Sequence, residues 1–425
     1  MFEIYKKHIA KMESRISKIE ASPDPTKLLS NKLRYELERD KMLEEIHAFE
    51  GGQLIGHSVC GIGARLFVAM GAHYIHPSIT ADSVFSPYAR QLLDIGVKLG
   101  FPERGCERTI LPIAAIADKQ MPPPSFTVAT TDSCDWMAHE CEAIARMVGC
   151  PSYTIDTSPI HDEKGLNYIT DQMYEMVDYL HKKVPGLRSF ADSEEDLAVL
   201  QERYGKMFGH IREVYKFMMH VPSPLPNGET FRIPWLDRLP KNGLDKSETY
   251  FRMFRDEVGE RVVKKIEGVP GERLRIMLAV SGPFYSDLLK YLEKRQIAMV
   301  VVYNGLVPSY VGVAPSMFDK NVFGRKLSPM EVEARRQQDI SWGSMGEIWA
   351  EHGVRLCQAF QCDAILYLLQ SGCTPTLGTW KLLAEKAEKE LGIPTLAYDG
   401  RMMISDEYDE KKLHDLVDIF FEMKS

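Results

Sequence analysis

The sequence predicts an α/β protein with two lobes, each built on a mostly parallel sheet. Two stretches of the chain alternate short apolar strands with amphipathic helices, a pattern typical of parallel sheets covered on both faces. A charged segment with apolar residues at helical spacing precedes them, and a long helical stretch separates them. A chain of 425 residues has room for two or three domains with cores of their own.

The N-terminal helical segment is predicted over 1–50, where Ile16, Ile19 and similar residues recur at helical spacing before a Gly-Gly pair. The first α/β lobe is predicted over 51–162. Its predicted strands are Gln53–His57, His73–His76, Phe126–Thr130 and Tyr153–Asp156, and its helices include Pro87–Lys98 and Trp136–Val148.

A helical connector is predicted over 163–270. It is helical over 165–218 apart from a break near Pro185, and helical again over Ser247–Glu267. The proline-rich stretch Val221–Leu239 is predicted to be an extended connection.

The second α/β lobe is predicted over 271–425, which gives two Rossmann-like parallel-sheet lobes in all. Its predicted strands are Arg275–Val280, Ala298–Tyr303, Ala364–Leu368 and Thr395–Tyr398. Its predicted helices are Pro283–Lys294, Glu331–Arg336, Met345–Phe360, Thr379–Leu391 and Glu410–Met423. In such sheets ligands bind beyond the carboxyl ends of the strands, and two lobes leave a cleft for them.

Composition excludes several classes of protein. The net charge of −8 offers no basic footprint, so no nucleic-acid partner is expected. No apolar run reaches the ~18 residues of a membrane span, and no apolar stretch follows the charged start, so neither a membrane partner nor a signal peptide is expected. A cytoplasmic location is therefore expected. In such a compartment the eight cysteines are expected to be core residues or ligands rather than disulfide partners.

Nucleotide and zinc motifs are not matched. Gly51–Ser58 has the glycine spacing of a P-loop, but His57 stands where the phosphate-binding lysine belongs. Any ATP that this system uses is therefore expected to be hydrolysed by another chain. Cys134 and Cys141 are seven positions apart, which does not match the short-spaced zinc pairs.

Three cysteines follow strands or precede helices. Cys134 comes just after the strand Phe126–Thr130 and begins a helix, whose N-terminal partial charge stabilises a thiolate. Cys373 takes the corresponding position after Ala364–Leu368, and Cys106 lies in a loop ahead of a helix. Three such thiols are what an iron–sulfur cluster with one open iron requires, but three unrelated small residues would give the same pattern.

Of the remaining cysteines, one is a further candidate ligand and the others are predicted core residues. Cys60 follows the first strand and is the best candidate for a fourth ligand. The predicted core cysteines are Cys141, Cys150, Cys357 and Cys362.

Several polar residues near these positions have two interpretations. Ser58 and His57 follow the first strand and can face a cluster or substrate, although Ser58 can equally be a helix cap. His139 is a possible proton carrier or a surface histidine, and Glu107 is a possible base or a solvated loop charge, of which the second is favoured. The run Glu331–Gln338 is predicted to be a solvated helix face. Two tryptophans at helical spacing are predicted to be core or interface residues: Trp342 and Trp349.

Several segments resemble the 2-hydroxyacyl-CoA dehydratases and the ATP-dependent benzoyl-CoA reductases. The first is Thr130–Asp135 with Cys106 ahead of it, and the second is Ser371–Cys373 followed by Leu391–Asp399. Two more segments resemble the family's entry to the second lobe and its early helix: Arg275–Pro283 and Leu66–Ala72. The resemblance runs from about residue 50 to the end of the chain.

The resemblance implies a two-lobed subunit that holds a [4Fe–4S] cluster through Cys106, Cys134 and Cys373, with one iron left for water, thiol or substrate. It implies a dimer with a homologous subunit or a second copy, and a separate ATP-hydrolysing iron–sulfur activator. The implied substrate is an acyl-CoA that becomes a ketyl-type radical. The implied enzyme is an oxygen-sensitive, anaerobic lyase or oxidoreductase, with Ser58 and His57 as catalytic candidates.

Two alternatives stay open beside this interpretation. Some branches of the family carry a double-cubane [8Fe–9S] cluster and reduce small molecules, and Cys60 lies where they have another cysteine. His76–Ser78 lies where such a branch would place a further cysteine, which argues against it. Asp399–Met403 also lacks the acidic residue that often follows the late aspartate of the family. The other alternative is a non-catalytic partner subunit.

Overall fold

The computed structural model describes most of the chain. The described residues are 1–22, 27–59, 63–131, 134–234, 244–280, 282–305, 307–313, 321–338, 346–406 and 408–422.

Two helices form the N-terminal segment, as predicted. Helix α1 (Glu3–Ala21) and helix α2 (Ser30–Glu50) pack against each other, and α1 buries apolar residues at helical spacing, while α2 buries polar residues as well. The Tyr5 hydroxyl donates a hydrogen bond of 2.7 Å to the Glu45 carboxyl group between them. Burial raises the pKa of Glu45, while Lys41 and the Tyr5 hydrogen bond act to lower it.

The first sheet has four parallel strands in the order β2-β1-β3-β4. The strands are β1 (Ile55–Ser58), β2 (His73–Ile75), β3 (Phe126–Thr130) and β4 (Ser152–Ile155). The helices between them are α3 (Ala64–Ala69), α4 (Pro77–Thr80), α5 (Ala89–Lys98), α6 (Glu107–Ala117) and α7 (Asp135–Val148), with a π-helical turn at Ala81–Phe85 and a 3-10 turn at Ser86–Tyr88.

The strand order creates a switch point between β1 and β3. The chain passes from β1 to β2 on one side and then returns to place β3 on the other side of β1. Because crossover connections are right-handed, the connections that leave β1 and β3 diverge to opposite faces of the sheet. The divergence leaves a crevice at the carboxyl ends of these two strands, which is where ligands bind in open α/β sheets.

Long helices follow the first sheet. They are α8 (Glu163–Lys183), α9 (Glu194–Met218), the short α10 (Asn227–Thr230) and α11 (Leu244–Val263). The Asp162 side chain caps α8 by accepting a hydrogen bond of 2.7 Å from the Gly165 amide. The end of α8 at Lys183 confirms the predicted break near Pro185.

The stretch Val221–Leu239 is not wholly extended, which corrects the prediction. It contains α10, because Asn227 bonds to the neighbouring strand through its side chain. The amide of Asn227 donates to the Ile297 carbonyl at 3.0 Å and accepts from the Met299 amide at 2.7 Å. These tertiary hydrogen bonds hold a helical turn that the proline content does not predict.

The second sheet has the same kind of strand order, β10-β9-β5-β6, and is also parallel throughout. Its strands are β5 (Leu274–Ala279), β6 (Ile297–Tyr303), β9 (Ala364–Gln370) and β10 (Thr395–Gly400). The remaining helices are α12 (Leu288–Lys294), α13 (Val307–Val311), α14 (Pro329–Gln338), α15 (Gly346–Ala359), α16 (Thr374–Leu391) and α17 (Glu410–Glu422). A small antiparallel pair, β7 (Asn321–Val322) and β8 (Arg325–Lys326), precedes α14.

The chain forms two compact units, one around each sheet. The first contains Met1–Gly209, the start of α11 as far as Phe254, and the segment with β7, β8 and α14. The second contains the rest of α9 and α11, α10, and the elements of the second sheet. Two four-stranded parallel sheets with helices confirm the predicted α/β fold with two lobes. The domain boundaries given above stay a prediction.

Each unit has its own apolar core. In the first unit the core joins α3, β3, α8 and α14, and in the second it joins β5, β6, β9 and α17. Within the part of the chain that the structure describes, no helix combines the length and apolar character that a membrane crossing requires.

Gly63, the residue before α3, has a left-handed backbone conformation that favours glycine. Its φ is +74°, and a Cβ there would lie 2.4 Å from the buried ring of Phe67. Gly149, which ends α7, has nearly the same φ of +76° but has no neighbouring atom within 4 Å. We expect Gly149→Ala to cost about 1 kcal/mol of stability and Gly63→Ala to cost about 2–4 kcal/mol, because the second also overpacks the core. Thermal unfolding of both variants measures the difference, and equal melting temperatures would contradict it.

Candidate functional site

The carboxyl ends of β1 and β3 bring predicted site residues to the switch point of the first sheet. Ser58 is the last residue of β1 and is fully buried. Cys134 follows β3 and is the N-cap residue of α7, with an extended backbone and no side-chain capping bond. Thr131 binds the loop after β4, since its hydroxyl donates to the Asp156 carboxylate at 2.8 Å. The carboxyl ends of three neighbouring strands, β1, β3 and β4, therefore form this edge of the first sheet.

Cys106 occupies the same kind of position on the preceding helix. It is the N-cap residue of α6, with an extended backbone, and is only 8% exposed. Helices α6 and α7 pack against each other in the first unit. The two helices that follow Cys106 and Cys134, α6 and α7, therefore belong to the same unit.

Cys373 lies at the switch point of the second sheet. Strand β9 lies on one side of β5 and β6 on the other, although the chain passes from β5 to β6 first. Cys373 follows β9 and is the N-cap residue of α16, again with an extended backbone. Its position relative to β9 matches that of Cys134 relative to β3.

The chemistry of this donor set fits an iron–sulfur cluster. None of the three cysteines forms a disulfide with a described residue, and none makes a capping hydrogen bond through its sulfur. A helix N-terminus presents free amide groups and a partial positive charge, which stabilise a thiolate. Cluster ligation needs thiolates, so the three positions offer what a cluster requires.

The other described cysteines have the opposite environment. Burial raises the pKa of Cys141 and of Cys362, and it raises the pKa of Cys150 to about 11. The Cys141 thiol donates to the Val128 carbonyl at 3.4 Å, and the Cys357 sulfur lies 4.0 Å from the Met277 sulfur. Cys141, Cys357 and Cys362 are buried, as predicted, whereas Cys150 is only partly buried and is not a core residue. Cys60 lies outside the described residues.

The two predicted catalytic residues are buried in β1. The Ser58 hydroxyl donates to the Tyr74 hydroxyl at 3.3 Å. Ser58 is not a helix cap, because α3 begins at Ala64 and its N-cap is Gly63. Burial, with a smaller contribution from His73, lowers the pKa of His57 to about 3, so its imidazole is neutral at neutral pH. Neither ring nitrogen makes a hydrogen bond of normal geometry with the described residues. Their catalytic roles stay a prediction.

A buried polar cluster lies on the helices that follow Cys106 and Cys134. Glu140 of α7 accepts a hydrogen bond of 3.0 Å from Ser78, and its second carboxyl oxygen has no partner among the described residues. Burial raises the pKa of Glu140 well above its usual range and so favours the protonated, neutral carboxyl group. Arg108 of α6 forms a buried bidentate ion pair with Asp82, at 2.8 and 2.6 Å.

Two charged segments are buried, against prediction. Glu107 is the first residue of α6 and is 1% exposed, so it is not a solvated loop charge. Helix α14 is not a solvated face, since every residue from Val332 to Gln338 is buried. The physical reason is that each charged run packs on distant elements, which a local pattern of charges does not reveal.

An ion pair holds α14 against the switch-point edge. The guanidinium of Arg65 on α3 donates two hydrogen bonds of 2.8 Å to the Glu333 carboxylate on α14. Both side chains are buried, and Gln201 of α9 donates a third bond of 2.8 Å to the same carboxylate. These interactions lower the pKa of Glu333 although burial, the largest single influence, acts to raise it. The sequence did not predict this ion pair. The available signal was the polar run Glu-Ala-Arg-Arg-Gln-Gln, which is too polar to be recognised as part of a core.

The structure also tests the predictions for one histidine and one of the two tryptophans. His139 is exposed, as its alternative interpretation as a surface histidine expects. Trp349 is buried and stacks on Tyr303, with ring centroids 3.8 Å apart, so it is a core residue. Trp342 lies outside the described residues.

Comparison with known proteins identifies the family. The family model described as 2-hydroxyglutaryl-CoA dehydratase, D-component, matches residues 63–423. The chain belongs to this dehydratase family. The chain is 19% identical to the (R)-phenyllactyl-CoA dehydratase alpha subunit of Clostridium sporogenes over 365 residues, which cover 84% of this chain and 86% of the relative. It is 22% identical to the alpha subunit of (R)-2-hydroxyglutaryl-CoA dehydratase of Acidaminococcus fermentans over 289 residues, which cover 66% of this chain and 56% of the relative. The resemblance stated from the sequence is confirmed.

The buried acid of this dehydratase-family chain gives a pH-dependent prediction. The raised pKa means that folded protein keeps a proton on Glu140 at pH values where unfolded protein has released it. The stability that this proton contributes is complete below about pH 4.5 and is lost as pH rises through the folded pKa. We expect the stability of the wild type to fall relative to Glu140→Gln by up to about 1.4 kcal/mol per pH unit above pH 4.5.

Thermal unfolding between pH 5 and 9 measures this difference. The control is Glu142→Gln, on the same helix but exposed, whose curve we expect to run parallel to the wild type. Parallel curves for the wild type and Glu140→Gln would contradict the assignment of Glu140 as a neutral acid.

The Arg65–Glu333 pair gives a second prediction. Arg65→Met leaves a buried carboxylate without its main partner, so we expect a loss of about 3–5 kcal/mol in stability. Combining Arg65→Met with Glu333→Met should recover part of this loss, because no buried charge then remains from the pair. Denaturant unfolding checks both, with the exposed Arg146→Gln as a control within about 0.5 kcal/mol of wild type. A single variant as stable as the control would refute this account of the pair.

Proposed function

We propose that the chain is the iron–sulfur subunit of an oxygen-sensitive 2-hydroxyacyl-CoA dehydratase, with a [4Fe–4S] cluster held by Cys106, Cys134 and Cys373. The observation that carries the proposal is that all three cysteines are N-cap residues of helices in a chain of this family. Two of them lie at sheet switch points. The family supplies the reaction class, and the helix N-termini supply the electrostatic reason why these thiols differ from the core cysteines.

The proposed substrate is the CoA thioester of a 2-hydroxy acid. The curated relatives are named for (R)-phenyllactyl-CoA and (R)-2-hydroxyglutaryl-CoA, which differ in the acyl group but share the 2-hydroxyacyl thioester. Loss of the α-hydroxyl and a β-proton as water gives the 2-enoyl-CoA. The net reaction is redox-neutral, so a single electron acts as a catalyst rather than as a consumed reagent.

The proposed cofactor carries the difficult step. When bound, a [4Fe–4S] cluster supplies single electrons at low potential, which convert a CoA thioester to a ketyl-type radical whose β-proton is far more acidic. The electron is proposed to come from a separate ATP-hydrolysing iron–sulfur activator. A homologous second subunit, or a second copy of this chain, is the proposed partner.

The residues of this chain would keep the reaction dry and hold protons. His57 and Ser58 are buried beneath the switch-point edge, His57 as a neutral imidazole and Ser58 as a hydroxyl group. Burial raises the pKa of Glu140, on the helix that begins after Cys134, and so favours a protonated carboxyl group there. Neutral, buried groups of this kind exclude water from a reactive intermediate without adding charge to its surroundings.

Replacement of the three cysteines tests the proposal. We expect anaerobically purified wild-type chain to contain about four irons, and Cys106→Ser, Cys134→Ser and Cys373→Ser each to lose them together with dehydratase activity. Cys141→Ser and Cys357→Ala are the matched controls, since both replace core cysteines, and should keep wild-type iron. Iron, sulfide and the visible absorption spectrum are measured on each protein.

The iron content also separates the alternatives. About eight irons per chain would favour the double-cubane reductase over the dehydratase. A chain without iron after reconstitution would favour a non-catalytic partner subunit. Full iron retention in all three cysteine variants would overturn the ligand assignment. Activity on an aromatic acyl-CoA, with ring reduction in place of dehydration, would favour the benzoyl-CoA reductase type.

A further inference from the structure

Two helix starts in the second unit bring together ligand-type side chains that the proposed cluster does not use. Asp287 is the N-cap residue of α12, Glu410 is the first residue of α17, and His414 follows one turn later. One carboxyl oxygen of each acid and one imidazole nitrogen lie within 4.8 Å of one another. Among the described residues, no other three histidine, cysteine, aspartate or glutamate side chains converge in this way.

The packing of the second unit explains why these residues meet. Helix α12 follows β5 and helix α17 follows β10, so both helices begin on the carboxyl side of the second sheet. The two helices pack against each other. Leu288 and Leu413, the chain neighbours of Asp287 and His414, are buried in the same apolar core. The core therefore holds together side chains that lie up to 127 positions apart in the sequence.

The distances between the ligand atoms suit a shared cation. Nε2 of His414 lies 2.8 Å from Oδ1 of Asp287 and 3.3 Å from Oε1 of Glu410. Two ligand atoms at about 2.1 Å from one cation, at tetrahedral or octahedral angles, lie about 3.0–3.4 Å apart. Both observed distances are close to this range, so an ion can bind here after small side-chain shifts.

The charge and the exposure of the cluster favour a cation from solvent. Among the described residues, no lysine or arginine forms an ion pair with Asp287 or Glu410, and Lys294 acts on Asp287 only at longer range. His414 balances at most one carboxylate, so the three side chains keep a negative charge when both acids are ionised. The side chains of Asp287 and Glu410 are 50% and 37% exposed, so an ion can reach them.

Groups around the cluster fix the direction of two of the ligands. The Ser286 hydroxyl donates to Oε1 of Glu410 at 2.7 Å, and the Tyr408 hydroxyl donates to the same oxygen at 3.2 Å. The His414 ring stacks on Tyr291, with ring centroids 3.6 Å apart and an angle of 3° between the planes. Supporting contacts of this kind orient the ligands of metal sites.

A buried hydroxyl group near the cluster is a separate observation that points to a ligand. It belongs to Tyr398 of β10, which is 4% exposed and shares the apolar core with Leu288 and Leu413. The hydroxyl has no hydrogen-bond partner among the described residues, and it interacts electrostatically with Tyr408, whose own hydroxyl bonds to Glu410. A buried polar group of this kind calls for a polar neighbour, and a hydrated cation supplies one.

We propose that Asp287, Glu410 and His414 bind a divalent transition-metal cation, which ties the start of α17 to the start of α12. Two carboxylate oxygens and one imidazole nitrogen suit Mn²⁺ or Zn²⁺, with water completing the coordination shell. The site does not depend on the proposed dehydratase function, since none of its residues is a proposed cluster ligand.

Titration of Mn²⁺ into the full-length, anaerobically purified chain tests the proposal, with electron paramagnetic resonance measuring the free ion. Mn²⁺ is chosen because it prefers carboxylate oxygens to thiols, so the cysteines of the chain compete little for it. The variants are Asp287→Asn, Glu410→Gln and His414→Phe, of which the last keeps an aromatic ring against Tyr291. The control is Asp415→Asn, on the same helix as His414 with a side chain 54% exposed.

We expect the wild type and the control to bind one Mn²⁺ per chain with equal affinity. Each of the three variants should bind it at least about 10-fold more weakly, because even the loss of a group that only orients a ligand costs that much. Mn²⁺ should also raise the melting temperature of the wild type and the control more than that of the variants, since the ion binds only the folded site. Melting temperatures without Mn²⁺ show that each variant is folded.

Two results would overturn the site. One is a wild-type chain that binds no Mn²⁺ at millimolar concentration. The other is equal Mn²⁺ affinity in the wild type and in the three folded variants, because the ion then binds elsewhere. Iron content keeps this test separate from that of the proposed function, since all three variants should keep the iron of the wild type and Cys373→Ser should keep its Mn²⁺ binding.

Discussion

The buried ion pair between Arg65 and Glu333 is the constraint on which the first unit depends. It joins residues 268 positions apart and fixes α14 to the helix that follows β1. Taking two charges out of water is costly, and only good geometry with further hydrogen bonds offsets the cost. Here two bonds of 2.8 Å and a third from Gln201 provide that geometry. The pair therefore determines where the otherwise unstable polar helix can lie.

Both sheets place a candidate ligand cysteine at the same kind of position in the fold. Each places a cysteine directly after a strand at its switch point and at the start of a helix, Cys134 in the first and Cys373 in the second. The core cysteines lie in apolar surroundings that favour the protonated thiol, as the raised pKa of Cys141 indicates. Position in the fold thus separates candidate ligands from packing residues of the same chemical type.

Around the switch-point edge of the first sheet, buried ionisable groups are either neutral or paired. Burial lowers the pKa of His57 to about 3, which leaves its imidazole neutral, and it raises the pKa of Glu140. Arg108 is paired with Asp82, as Arg65 is with Glu333. Such an interior suits chemistry on a reactive thioester, since few mobile charges or waters remain to quench an intermediate.

The sequence by itself determined the strands, most helices, the two-lobed α/β class and the positions of Cys106, Cys134 and Cys373 at strand ends or helix starts. These follow from local apolar periodicity and turn residues, which report on the chain's immediate neighbours. Only the tertiary structure decided that Glu107 and the polar run of α14 are buried, and that burial raises the pKa of Glu140. Burial of a charged side chain depends on partners far away in the sequence, and no local pattern names them.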